Sequence, residues 1–306
     1  MRTMLAQAQF EAARRYVEAA ARPLDRVLLR QALGEADGAE VRAALAAFQN
    51  ADGGYGRGLE PDLPSPASSA IAASIGLRFL VRAGTPSDDP AAVRAIAWLA
   101  AQLQQERGVW PIIDQGVDLA PHAPWWTFSE NLAERWNGFR FNPTAEILAH
   151  LYAFRDIAPV GLIEAAEAGM RRSLAETDVI EGAYDLKCAA RLAEAPGAPG
   201  ALAAALSDLV LRSIDAHDPE DDHLPPLELA PSPTSRFARA LPGRIGPALE
   251  RLIERQADDG GWPWNPDWNW SYVDEAAGAR AERDWRGWVT REALETLIAH
   301  GRVEGR

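Results

Sequence analysis

The sequence predicts an all-α fold, built from about six helical hairpins that close into a ring. Three observations predict it. Gln49-Asn50-Ala51-Asp52-Gly53-Gly54-Tyr55, Gln104-Gln105-Glu106-Arg107-Gly108-Val109-Trp110 and Gln256-Ala257-Asp258-Asp259-Gly260-Gly261-Trp262 share the pattern Q-x3-G-x-aromatic. Each copy follows an apolar helical pattern and opens a Pro-rich loop, and self-similarity of this kind marks a repeat architecture. Gln49 to Gln104 is 55 positions and Gln104 to Gln256 is 152, close to three periods of roughly 51, so 306 residues hold about six units. Second, half-exposed helices alternate with helices that are apolar on almost every side, as outer and inner helices of a ring would. Third, sustained period-2 alternation of β-branched residues is almost absent.

The elements follow in order. Residues 5–21 and 24–33 are Ala/Leu/Arg-rich helical patterns broken at Pro23, and 39–49 is a third, ended by Asn50 and Gly53-Gly54. Ser68-Ser69 caps a helix to about Val81, whose interior Ala70-Ile71-Ala72-Ala73-Ser74-Ile75-Gly76-Leu77 predicts burial on most sides. Residues 90–105 alternate apolar and polar positions at helical spacing. Asn142-Pro143-Thr144 starts a helix over 144–155, with proline in the first turn. Further helices are expected at about 162–175, 183–194, 200–214, 233–241, 245–256 and 289–300. The long irregular stretches are 108–141, 215–232 and 258–286, and loops this long in a compact domain are usually functional or act as lids. A repeat array of this length is expected to form one domain over residues 1–306.

Composition narrows the function. The net charge of −13 disfavours nucleic acid, whose phosphates need a basic surface. The single cysteine, Cys188, excludes an internal disulfide and a thiolate-rich metal cluster. The N-terminal Met1-Arg2-Thr3-Met4-Leu5-Ala6-Gln7 lacks a signal-peptide pattern, and no run approaches 18 apolar residues. A cytoplasmic protein with no membrane span is the expectation. Eleven tryptophans are the one compositional oddity, and they cluster at Trp125-Trp126, at Trp262 to Trp270, and at Trp285 and Trp288.

Q-x3-G-x-W is similar to the repeat of squalene–hopene and oxidosqualene cyclases, and Gln49-Asn50-Ala51-Asp52-Gly53-Gly54-Tyr55-Gly56 resembles a loop of protein prenyltransferase β subunits. The resemblance covers most of the chain and implies an α/α toroid in which Gln49, Gln104 and Gln256 are scaffold. The catalytic motifs of those families do not carry over. Where prenyltransferases hold zinc with Asp-x-Cys, this chain has Glu181-Gly182-Ala183, with Ala183 in the thiolate position. No two histidines stand at ligand spacing, so neither metal nor other cofactor is expected. The closest match to the cyclase Asp-x-Asp-Asp is Asp218-Pro219-Glu220-Asp221-Asp222, with the first aspartate one position early, and a solvated acidic loop fits it better.

The loops that open onto the inner helices supply the candidate site. Glu60 and Asp62, held between prolines, are the expected acid/base pair, because carboxyl groups beside tryptophans lose hydration. His122 is a candidate proton carrier. Trp125, Trp126, Asn142, Trp268, Trp270, Trp285 and Trp288 are the expected substrate contacts, with indole faces that can hold a cation or stack on a sugar. The leading expectation is a metal-independent enzyme of terpenoid-cyclase or prenyltransferase type acting on a small hydrophobic molecule. A carbohydrate-active toroid and a non-catalytic binding module remain as alternatives.

Overall fold

The computed structural model describes residues 2–217, 226–264 and 274–306. Trp268, Trp270 and the acidic string Asp218 to Asp222 lie outside them. The α-helices are α1 (Gln7–Ala20), α2 (Pro23–Ala32), α3 (Gly38–Leu45), α4 (Ala70–Arg82), α5 (Pro90–Gln102), the short α6 (Leu132–Arg135), α7 (Thr144–Leu151), α8 (Leu162–Ala175), α9 (Ala183–Glu194), α10 (Gly200–Ala216), the short α11 (Pro226–Leu229), α12 (Ile245–Glu254) and α13 (Glu275–Ala299). Among the described residues there is no β-strand, only the isolated bridges Leu5–Val303, Gln49–Tyr55 and Gln104–Val109. None of these helices is long and apolar enough to cross a membrane.

Two compact units emerge, one of residues 1–44 with 225–306 and one of residues 45–224. In the second, α4 starts where expected. The Ser69 hydroxyl accepts the Ala72 N–H at 3.3 Å, and Ala70, Ala72, Ala73, Ser74, Ile75, Gly76 and Leu77 are all buried. Helix α5 starts at Pro90 behind an Asp89 cap, and α7 and α9 pack on each other. In the first unit, α1 and α13 pack together and with α2, around a core that includes Phe10, Val17, Leu249, Trp262, Leu294 and Leu297.

The repeat motif proves to be a fastener. Gln49 Nε2 donates to Gly53 O in its own loop (3.0 Å) and to Ala91 O in the first turn of α5 (2.9 Å). Gln256 Nε2 does the same, to Gly260 O and to Gln9 O in the first turn of α1, both at 2.9 Å. These bonds satisfy loop carbonyls that would otherwise be stranded. The aromatic residue pins the other side. Trp110 Nε1 donates to Leu99 O (2.7 Å) and its backbone N–H to the Thr144 hydroxyl (3.1 Å). Trp262 repeats both bonds, to Leu252 O (2.6 Å) and Thr290 (2.9 Å).

The motif glycine has positive φ in all three copies, at Gly53, Gly108 and Gly260, and lies against a neighbouring helix backbone. A Cβ on Gly108 would sit 2.2 Å from Ala165 O. Gly108→Ala is therefore expected to lose about 3 kcal/mol or more of stability, combining left-handed strain with a backbone clash. Gly161→Ala is the comparator, since Gly161 also has positive φ but nothing within 4 Å. Equal losses by chemical denaturation would show that the close approach to α8 contributes nothing.

Three expectations need correction. The helix predicted at 233–241 is only a 3₁₀ turn at Arg236–Ala240, because Pro231, Pro233 and Pro242 crowd both ends. Pro143 is the N-cap of α7 rather than its first residue. The stretch 258–286 is not irregular to its end, since α13 begins at Glu275 and runs for 25 residues. Asp274 caps it by accepting the Ala277 N–H at 2.9 Å, and Glu275-Ala276-Ala277 and Ala279-Arg280-Ala281-Glu282 are strong helix formers.

Candidate functional site

In the unit of residues 45–224, three of the expected site residues meet. Asp62 is 1% exposed, and its carboxylate accepts the Trp125 indole N–H at 3.0 Å on Oδ2 and the Trp126 indole N–H at 2.9 Å on Oδ1. Its carbonyl also takes the Ala123 N–H, so Asp62 ties the 59–63 turn to the Trp125-Trp126 loop. Trp126 stacks on Trp136 at 5.2 Å and 6°. Asp62 thus stands as an anchor between two indoles. Glu60 is half-buried in the same turn. The His122 ring is held by Ala120 O, 2.8 Å from Nδ1, and lies 3.5 Å from Asp118 through Nε2. Asn142 is buried, and its backbone N–H goes to Asp185.

In the other unit, one face of α13 gathers acids, arginines and tryptophans. Trp285 stacks on Trp264 at 5.5 Å and 7°, and meets Trp288 edge-on at 5.7 Å and 62°. The Trp285 indole nitrogen is buried with no hydrogen-bond partner among the described residues. Trp288 is buried and carries the guanidinium groups of Arg22 and Arg291 over its ring, at 5.5 and 5.1 Å. Both arginines converge on Asp25, which is fully buried: Arg22 Nε lies 2.7 Å from Oδ2 and Arg291 Nε 3.3 Å from Oδ1. Glu295 and Glu292 complete the shell around Arg291 at 3.1 and 3.3 Å. Burial works against the Arg291 charge, and Glu295, Glu292 and Asp25 outweigh it, so its proton is held more tightly than usual.

Asp284 stands on this helix beside Trp285 and one turn before Trp288. Burial pushes its carboxyl above the usual aspartate value, and Asp25 adds to the rise. Arg22, Arg283 and Arg280 pull it back only in part. Sequence reasoning missed Asp284 because it assigned 258–286 to a loop. The i, i+4 spacing of Asp284 and Trp288, and of Ala281 and Trp285, was the available signal.

A second missed cluster lies among α4, α7 and α9. Glu146 is buried, with Arg191 Nη1 at 2.8 Å and Arg78 Nη1 at 3.7 Å. His150 Nε2 is 3.7 Å from Glu146 Oε1, too far for a good hydrogen bond, and both atoms are buried without one. Burial pushes the Glu146 carboxyl up, but Arg191 and then Arg78 bring it well below the usual value. Burial likewise lowers His150, with Glu146 opposing. Cys188 is buried and points its thiol at Glu146 Oε2 at 3.5 Å, and burial raises its pKa. It is therefore no ready nucleophile. The described residues hold no group of three or more His, Cys, Asp or Glu side chains arranged to bind a metal.

No protein-family model matches the chain, and no curated protein does. Among solved structures it is similar to the apo form of the type II terpene cyclase MstE from Scytonema, with a TM-score of 0.53 at 17% identity over 95% of this chain and 97% of that one. The fold is similar to that of a type II terpene cyclase. This agrees with the all-α, α/α toroid class predicted from the repeats.

Proposed function

We propose that the protein is a terpenoid-cyclase-like enzyme that protonates and cyclises a hydrophobic, isoprenoid-class molecule without a metal. The observation that carries this reading is Asp284, a carboxyl group whose pKa burial raises, set beside the Trp264–Trp285–Trp288 cluster. A carboxyl group whose protonated form is favoured by burial can serve as a general acid. The Asp284 carboxyl gives its proton to one carbon of an alkene, and the π pair becomes the new C–H bond. The adjacent carbon is left cationic, and the π pair of the next alkene attacks it to form the ring bond. Loss of a proton from the final cation restores an alkene, so the product is an isomer of the substrate.

Indole faces favour such a cation by their quadrupole, more strongly where water is excluded. Trp288 already serves Arg22 and Arg291, so the stacked Trp264–Trp285 pair takes this role. Trp268 and Trp270 follow Trp264 closely in sequence and are kept as candidate substrate contacts. In the unit of residues 45–224, Asp62 positions Trp125 and Trp126, and Glu60 and His122 are the acid/base candidates of that unit.

The test is incubation with linear and aryl-linked polyprenyl substrates in D2O with a chelator present, followed by mass spectrometry. The expected product is isomeric with the substrate and carries one deuterium. Asp284→Asn is expected to lower turnover by about 10²- to 10⁴-fold while leaving the melting temperature intact. Full activity in that variant, or a metal requirement, would overturn the assignment.

A further inference from the structure

A pocket of about 590 Å³ opens at the surface of the unit of residues 45–224, and its lining includes none of the residues assigned to the cyclase reaction. Its lining is Asp52, Ala67, Ser68, Trp98, Gln102, Asp114, Gln115, Gly116 and Phe128, and its volume suits a small molecule. The two formal charges in this lining are both negative, no lysine or arginine contributes, and two aromatic rings and two primary amides complete the wall.

The acids are held in place before any ligand arrives. Asp52 Oδ1 accepts the Gly54 N–H at 3.0 Å and the Ser68 hydroxyl at 2.8 Å. Asp114 Oδ1 accepts the Gly116 N–H at 2.7 Å. Each carboxylate thus anchors its own loop through one oxygen and keeps the other for a ligand. The two loops are joined, because the Ser65 hydroxyl donates to Gly116 O at 2.7 Å, and Asn50 Nδ2 donates to both Pro66 O and the Ser68 hydroxyl at 2.9 Å. Trp98, nine-tenths buried on α5, gives the pocket a fixed aromatic wall. A rigid, prepaid geometry lowers the ordering cost of binding.

We propose that this pocket binds a small organic cation, a primary ammonium or guanidinium. Two carboxylates without a countercharge attract a cation, aromatic faces hold it, and amide oxygens accept its N–H groups. The net charge of −13 on the chain draws cations to the surface and repels anions.

The proposal is tested by calorimetric titration of the full chain, at low salt, with agmatine and separately with a blocked arginine dipeptide. Binding by either supports it, and the tighter of the two tells whether the natural source is a free amine or a peptide side chain. Asp52→Asn and Asp114→Asn keep the Oδ1 bonds and remove one charge each. Each is expected to weaken binding about fivefold, and the double variant to abolish it. Affinity should also fall as salt rises. Unchanged binding in the double variant would overturn the proposal. So would no binding of either cation at millimolar concentration, or equal binding of a neutral disaccharide.

Discussion

Replacing Arg291 with alanine is expected to destabilise the protein by about 3–5 kcal/mol, because it strands buried charge. Arg291 is 2% exposed and Asp25 is 0% exposed, so the loss leaves Asp25 with Arg22 alone, and it also removes the cation over Trp288. Glu295 and Glu292 lose their contacts to the guanidinium in the same step. Chemical denaturation reads the loss directly as a lower midpoint at constant slope. Pairing Arg291→Met with Asp25→Leu should recover a large part of it, since apolar pairs of similar volume often replace buried ion pairs at little cost. A single-variant loss below about 1 kcal/mol would show instead that the cluster behaves as a solvated surface pair.

Glu146→Ala is expected to cost a similar amount, about 3–5 kcal/mol, for the same reason: it leaves the guanidinium groups of Arg191 and Arg78 facing a void. This cluster also sets a pH dependence. The folded-state pKa of Glu146 lies well below the ordinary value of 4.5, so its stabilisation is complete above pH 4.5 and is lost as pH falls through the folded value. His150 is lowered from 6.5, so the unfolded chain binds its proton first, and stability already begins to fall as pH drops below 6.5. Denaturation between pH 7 and pH 3 should show both limbs. Glu146→Gln should remove the lower one and leave the upper. Identical profiles for the variant and the parent would rule out this assignment.

The parts of the fold that were legible in the sequence are those fixed by local chemistry. The three Gln–Gly–aromatic copies announced the repeat because each needs a glycine at positive φ, and in the first and third copies the glutamine reaches two carbonyls. Ser69 and Pro90 marked helix starts for similar reasons. Helix α13 was half missed because Gly278, Gly287 and the nearby tryptophans look like loop residues, whereas tertiary packing of Gly287 against Ala21 makes glycine an asset there. The candidate site was legible only as a set of residue types. The partnership of Asp62 with Trp125 and Trp126 spans 63 and 64 positions, and no local rule pairs residues so far apart. Glu146, His150 and Arg191 escaped notice because a buried charge cluster looks in sequence like the wet face of an amphipathic helix.

Trp110 meets Thr144 at the first residue of α7, but Trp262 meets the equivalent Thr290 sixteen residues into its helix. The repeat frame therefore resumes at Thr290, and Glu275 to Val289 is a prefix grafted ahead of it. Asp284, Trp285 and Trp288 all belong to that prefix, while the fastening glutamine, glycine, tryptophan and threonine do not. The proposed acid and the scaffold thus occupy separable stretches of chain. Selection can revise the first like an exchangeable cartridge without loosening the joints of the second.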